Sequence, residues 1–171
     1  MSEANGSEQE PVSVRIGKLR LLTNDESGEV PADLLVGLDA LKLTYEQLVC
    51  TRHDPRSQTW QAVAVAGPPL IVVAETSLRV DADQRTVQPQ GEVSVAAYPL
   101  SAVKSVELLG VDTYPGRDVF RRDTIGGYDT RDWRLTIDGR AEPVNLPLQH
   151  GTPTAELCIQ LLQRIATRPE S

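Results

Sequence analysis

The sequence predicts an α+β fold: a curled antiparallel sheet or barrel closed by a C-terminal amphipathic helix, with an extra N-terminal strand–helix segment. Three observations predict it. Runs in which apolar and polar residues alternate recur between residues 60 and 148, the period of half-buried strands. Asp138-Gly139 separates two of these runs as a hairpin turn. After the last of them, Leu157, Cys158, Leu161, Leu162 and Ile165 recur at helical spacing.

The 171 residues are 40% hydrophobic and 24% charged, ordinary values for a globular chain. Area scaling for that length buries about 69% of the unfolded surface, enough for one self-sufficient core. No apolar run approaches the ~18 residues of a membrane span. We therefore expect an acidic, disordered tail at 1–10 and a single domain over 11–168, its core at 60–168 and an N-terminal block at 12–50. The net charge is −7, and Glu3, Glu8, Glu10 and Glu170 at the two ends supply four of those units. A mildly acidic body gives no counterion-release drive toward nucleic acid or anionic lipid. With no basic-then-apolar leader and only two cysteines, the expected compartment is the cytoplasm.

Along the chain, Val12, Val14 and Ile16 alternate with Ser13 and Arg15, and Leu19 and Leu21 resume the pattern after Gly17. That alternation predicts a strand with a bulge. A turn follows at Asn24–Gly28. From Pro31 to Cys50, Leu34, Leu38, Leu41, Tyr45 and Leu48 at spacings of three and four predict a helix, although Gly37 weakens it. Leu41–Tyr45 fits a strand equally, and Thr44 with Gln47 fits a second helix start. Residues 51–59 are a polar loop. Strands are expected at Ala62–Ala66, Leu70–Val80, Val93–Ala97 and Val103–Leu109, with Gly67-Pro68-Pro69 and 81–91 as turns. Residues 110–131, broken by Pro115-Gly116 and Gly126-Gly127, read as a long irregular loop. Trp133–Ile137 and Val144–Leu148 form the hairpin, the second of them at an edge because of Pro143 and Pro147. Thr152 caps the last helix, Pro153 suits its first turn, and Pro169 ends it.

Strands followed by one terminal amphipathic helix require a curled sheet whose open end the helix plugs. The segments LIVVAETSLRV (70–80), YPLSAVKSVELL (98–109), DWRLTIDG (132–139) and AELCIQLLQRIATR (155–168) resemble a bacterial pleckstrin-homology-like domain. The resemblance implies two nearly orthogonal sheets with the closing helix last. It departs from eukaryotic members in having no tryptophan between Thr152 and Arg168. The block 12–50 either adds to the minimal domain or supplies its first strand.

Phosphoinositide recognition in that family uses convergent Lys and Arg on a loop. The richest source here is Arg117, Arg121, Arg122, Arg131 and Arg134, and Asp112, Asp118, Asp123, Asp129 and Asp132 offset all five. Lys18 and Arg20 make a weaker pair on the first strand. Headgroup binding is disfavoured. Cys50-x2-His53 has the spacing of half a zinc site, but His150 and Cys158 are too far apart to complete it. No metal or cofactor is expected, and a Cys50–Cys158 disulfide is set aside. No nucleophile elbow, P-loop or dinucleotide fingerprint occurs, so the chain reads as non-enzymatic.

What remains is interaction. The 110–131 segment carries Tyr114, Phe120 and Tyr128, three of the five Tyr and Phe residues, alongside Arg117, Arg121 and Arg122. Aromatics with arginines are the composition of interface hot spots. The expected function is a binding or assembly module for a protein partner. The edge near Pro143–Leu148 offers a second route, strand addition by a peptide or by a second copy as a homo-oligomer. The alternatives are a carrier of a small hydrophobic ligand in a hollow interior lined by 62–109, and a membrane-lipid sensor.

Overall fold

A computed structural model describes residues 9–23, 28–53, 58–67, 69–77, 79–80, 87–88, 92–116, 125–147 and 152–169. Among the described residues, nine strands and three α-helices follow one another: α1 (Val12–Leu22), α2 (Ala32–Ala40), β1 (Thr44–Arg52), β2 (Trp60–Gly67), β3 (Leu70–Thr76), β4 (Arg79–Val80), β5 (Val87–Gln88), β6 (Val93–Pro99), β7 (Val103–Pro115), β8 (Ile125–Ile137), β9 (Val144–Leu146) and α3 (Thr152–Ala166). A 3₁₀ turn at Leu100–Ala102 joins β6 to β7. All ladders are antiparallel. One sheet has the order β1-β2-β3-β6, a second the order β7-β8-β9, and β4-β5 is a two-residue ribbon. The fold is α+β with antiparallel sheets and a C-terminal helix. Among the described residues no ladder joins the two larger sheets, so they pack against each other without closing into the expected barrel.

The four-stranded sheet is covered on both faces, which explains why β2 and β3 are almost continuously apolar. Successive side chains point to opposite faces. Ala62, Ala64, Ala66, Val72 and Ala74 lie in a cluster with Leu34, Leu35 and Leu38 of α2 and Leu19 of α1. Val63, Val65, Ile71 and Val73 lie in the other, with Trp133, Leu135 and Ile137 of β8 and Leu157, Cys158 and Leu161 of α3. The helix-facing side is rich in alanine because α2 comes very near. A Cβ on Gly37 would sit 2.7 Å from Val93 Cγ1 and 3.0 Å from Val95 Cγ2. Glycine there costs helix propensity and is required by the approach.

Two N-terminal expectations are corrected. Residues 12–21, expected as a strand, form α1. Val14 and Arg15 amides bond back to the Pro11 carbonyl at 3.0 and 3.2 Å, and Ile16 and Leu19 turn inward at helical spacing. The alternation of Val12, Val14 and Ile16 is spent differently, since Val12 and Val14 remain exposed. Arg15 Nε and Nη2 bond both carboxylate oxygens of Asp39 at 2.8 and 2.9 Å, tying α1 to α2. The helix expected over Pro31–Cys50 stops at Ala40. Lys42 adopts φ +55°, the Tyr45 hydroxyl donates to the Leu38 carbonyl at 2.7 Å, and the chain continues as β1. Leu48 and Val49 then serve opposite clusters, an arrangement only a strand permits. Burial pushes the Tyr45 phenol up to about 12, with the Asp39 charge adding to it.

α3 matches the expected terminal helix. Beyond its buried stripe, Arg164 meets Glu46 at 3.2 Å, and Arg168 Nη1 donates to the Ser101 and Val103 carbonyls, each at 3.2 Å. The two sheets are also bridged by the buried Gln61 amide, which donates to Thr51 Oγ1 at 3.2 Å and to the Asn145 carbonyl. The third correction concerns 110–131. Its described residues continue β7 and β8, each thirteen residues long.

Candidate functional site

The far half of the β7–β8 hairpin is a two-stranded arm. Its root is fixed: Trp133, Leu135 and Ile137 are buried in the shared core, and the Trp133 indole donates to Thr130 Oγ1 at 3.3 Å. At Asp132 the backbone takes φ +37°, and from there outward no β8 residue is buried. β9 pairs only Trp133, Arg134 and Leu135, so the arm extends past the three-stranded part of the sheet.

The register sorts its side chains. Thr113 pairs with Tyr128 and Tyr114 with Gly127, so the two predicted tyrosines lie on opposite faces. On the first face, the Tyr114 hydroxyl donates to the Asp129 carboxylate, and Arg131 Nε meets Asp112 Oδ2 at 3.2 Å. The Asp129 bond, with desolvation and the nearby carboxylates behind it, raises the Tyr114 phenol above its ordinary value. On the second face lie Leu109, Val111 and Tyr128. A bulge between Tyr114 and Pro115 sets Ile125 opposite Pro115 on that same face. Ile125 and Tyr128 are 68% and 67% exposed, Leu109 and Val111 47% and 46%. Gly126 makes the bulge possible, because a Cβ there would lie 2.7 Å from the Pro115 carbonyl oxygen and 2.9 Å from Gly116 Cα.

Of the six residues read from the sequence, Tyr114 and Tyr128 fall on the arm, on different faces. Arg117, Phe120, Arg121 and Arg122 lie outside the described residues. Sequence reasoning missed Leu109, Val111 and Ile125. The signal was present in the alternation Leu109-Gly110-Val111-Asp112, which continues β7 beyond its expected end at Leu109. Gly126-Gly127 concealed it by resembling a turn, although Gly126 serves the bulge.

The other candidates resolve as follows. Arg134 meets Glu107 at 3.7 Å and bonds Asn145 Oδ1 at 3.2 Å, so both described arginines of the 110–134 set are engaged. Lys18 and Arg20 stand on α1, not on a strand; Lys18 pairs with Glu10, and Arg20 Nη1 donates to the Val30 carbonyl at 3.1 Å. A surface cleft of about 420 Å³ between α1, α2 and β1 is lined by Arg15, Lys18, Glu10 and Asp39, whose charges already offset one another. Cys50 and Cys158 form no disulfide and belong to clusters on opposite faces of the first sheet, which separates them. Burial pushes the Cys158 thiol up to about 12. His150 lies outside the described residues. Among the described residues no group of three His, Cys, Asp or Glu side chains is placed to hold a metal ion. Among them, too, no helix is long and apolar enough to cross a membrane.

No protein family, curated protein or solved structure matches this chain.

Proposed function

We propose that this chain is a non-enzymatic binding or assembly module of pleckstrin-homology-like fold, working in the bacterial cytoplasm, and that it engages a protein partner through the second face of the β7–β8 arm. The observation that carries this reading is the exposure of Leu109, Val111, Ile125 and Tyr128 together on a ribbon whose Arg131 and Arg134 are paired with Asp112 and Glu107. A ribbon of two strands is marginal in water by itself. Burying those side chains against a partner stabilises it, at about 25 cal/mol per Å² of apolar area removed from water. The family reading is supported by the element order, with two antiparallel sheets on a shared core and an amphipathic helix last.

A hydrophobic-ligand carrier needs space between the sheets. Trp133, Leu135, Ile137, Leu157 and Leu161 occupy that region in contact with Val63, Val65, Ile71 and Val73, which favours the binding module. A lipid sensor needs uncommitted cations, and Arg131 and Arg134 are held by Asp112 and Glu107.

The test is site-specific crosslinking. A photoreactive residue at position 128 should capture a protein in the native cell extract, and the same residue at Leu21, exposed on α1, should not. The double substitution Ile125→Ser with Tyr128→Ser should abolish the partner interaction without moving the melting temperature. A partner that binds the double variant as well as the wild type would remove the arm from this reading.

A further inference from the structure

The β7–β8 ribbon reverses its polarity along its length. Successive side chains of a strand point to opposite faces. Near the root, one face sets Val106, Trp133, Leu135 and Ile137 on the core, and the other carries Glu107 with Arg134. Further out, the face that continues from Trp133 carries Arg131, Asp112, Asp129 and Tyr114, and the opposite one carries Val111 and Tyr128. The apolar side chains of β8 that hold the ribbon to the core therefore stop at Trp133.

Two backbone features fall at the same place. Asp132 adopts φ +37°, a left-handed conformation that aspartate tolerates and most side chains resist. The ladder passes from Leu108, opposite Trp133, to Gly110, opposite Arg131; of the described residues from Ser105 to Pro115, Leu109 alone is skipped. The segments on either side are braced. Glu107 with Arg134 ties the two strands below, where β9 adds a third. Arg131 with Asp112, and the Tyr114 hydroxyl with Asp129, tie them again above. The Trp133 indole spans the junction, donating to Thr130 Oγ1 at 3.3 Å. Hinges are a few positions that absorb a backbone rotation between rigid bodies, and an observed backbone outlier is a fair starting point for assigning one.

We infer that the arm hinges at Asp132: from Gly110 and Arg131 outward the ribbon swings as a unit on a fixed root, changing the direction in which Val111, Ile125 and Tyr128 face. The hinge stands on the ribbon's own geometry, and its use rests on the arm being the interaction surface, as in the preceding section. A swinging arm presents its apolar face at a range of angles, and a partner selects one of them.

Distances between paired spin labels test it, in protein carrying Cys50→Ser and with Cys158 shielded by burial. One label replaces Val36, exposed on α2; the second replaces either Lys104, at the root of β7, or Tyr128 on the arm. The 36–104 pair should give one narrow distance distribution, and the 36–128 pair one about twofold broader. Thr130→Val, which removes the acceptor of the Trp133 indole, should broaden the 36–128 distribution further and leave 36–104 as it was. Asp132→Val, whose branched side chain resists positive φ, should move the 36–128 maximum by several ångströms, whereas Asp132→Asn should not. A wild-type 36–128 distribution as narrow as 36–104 overturns the hinge, whether or not Asp132→Val folds; so does one that neither Thr130→Val nor Asp132→Val alters. If the distribution is narrow and crosslinking from position 128 still captures a protein, the hinge falls and the binding module stands. If it is broad and nothing is captured, the hinge stands and the module falls.

Discussion

β2 and β7 are both strands of antiparallel sheets, and both contain runs of small and branched apolar residues. In β2 every residue from Trp60 to Ala66 is buried, between helices on one side and a sheet on the other. In β7 only Val103 is. The strands differ in composition, β7 carrying Lys104, Glu107 and Asp112 and β2 no charge, and they differ in what covers them. An apolar run specifies burial, and whether the chain itself supplies the cover is decided elsewhere in the sequence. Where it does not, the same run becomes a surface for another molecule.

Substitutions can break or sharpen this contrast. The largest effect should come from truncating matched leucines. Leu135→Ala, at the root of β8 and fully buried, should cost about 2–5 kcal/mol in denaturant unfolding. Leu109→Ala on the arm should change stability by less than about 0.5 kcal/mol. Equal losses at the two sites would mean that the arm is part of the core. Adding a methyl group should separate the regions by sign. Gly37→Ala drives a Cβ into Val93 and should destabilise by about 1–3 kcal/mol. Gly17→Ala on α1, with nothing within 4 Å, should stabilise by about 0.5–1 kcal/mol through helix propensity.

A smaller effect concerns the attachment of α1. The Arg15 hydrogen bonds hold the Asp39 carboxyl below its ordinary value, and the charges of Arg15 and Lys42 add to this. A carboxyl lowered in the folded state contributes stability above its unfolded pKa, near 4, and loses it as pH falls through the folded value. Asp39→Asn should therefore lower the melting temperature at pH 7, and the two melting curves should converge below about pH 3. A gap that persists there would assign the loss to packing. Last, thiol labelling of the native protein should modify Cys50 well before Cys158, which is fully buried and whose thiol is pushed up to about 12.

Much of the central sheet was legible because period-two alternation and β-branched residues coincide there, and the terminal helix because its cap, stripe and stop all agree. The N-terminal block was not. Val12, Val14 and Ile16 satisfy strand alternation, and Ile16 and Leu19 satisfy a helical face as well. Tertiary cover chose between them, since that segment lies across the sheet without joining its edge. Leu41–Tyr45 failed for the converse reason, with helical spacing running on by accident past the left-handed residue Lys42. On the arm, aromatic composition pointed to Tyr114 and Tyr128. Only the register could show that they face opposite ways, and that Leu109, Val111 and Ile125 accompany Tyr128. A breaker such as Gly126 looks the same in sequence whether it makes a turn or relieves a bulge.

Amide hydrogen exchange of the native protein tests the account most directly. At about 1 µM the amides of β2 and β3 should exchange only through global unfolding, and those of Leu108–Pro115 orders of magnitude faster. β7 amides as protected as those of β2 would contradict the claim that the arm is uncovered.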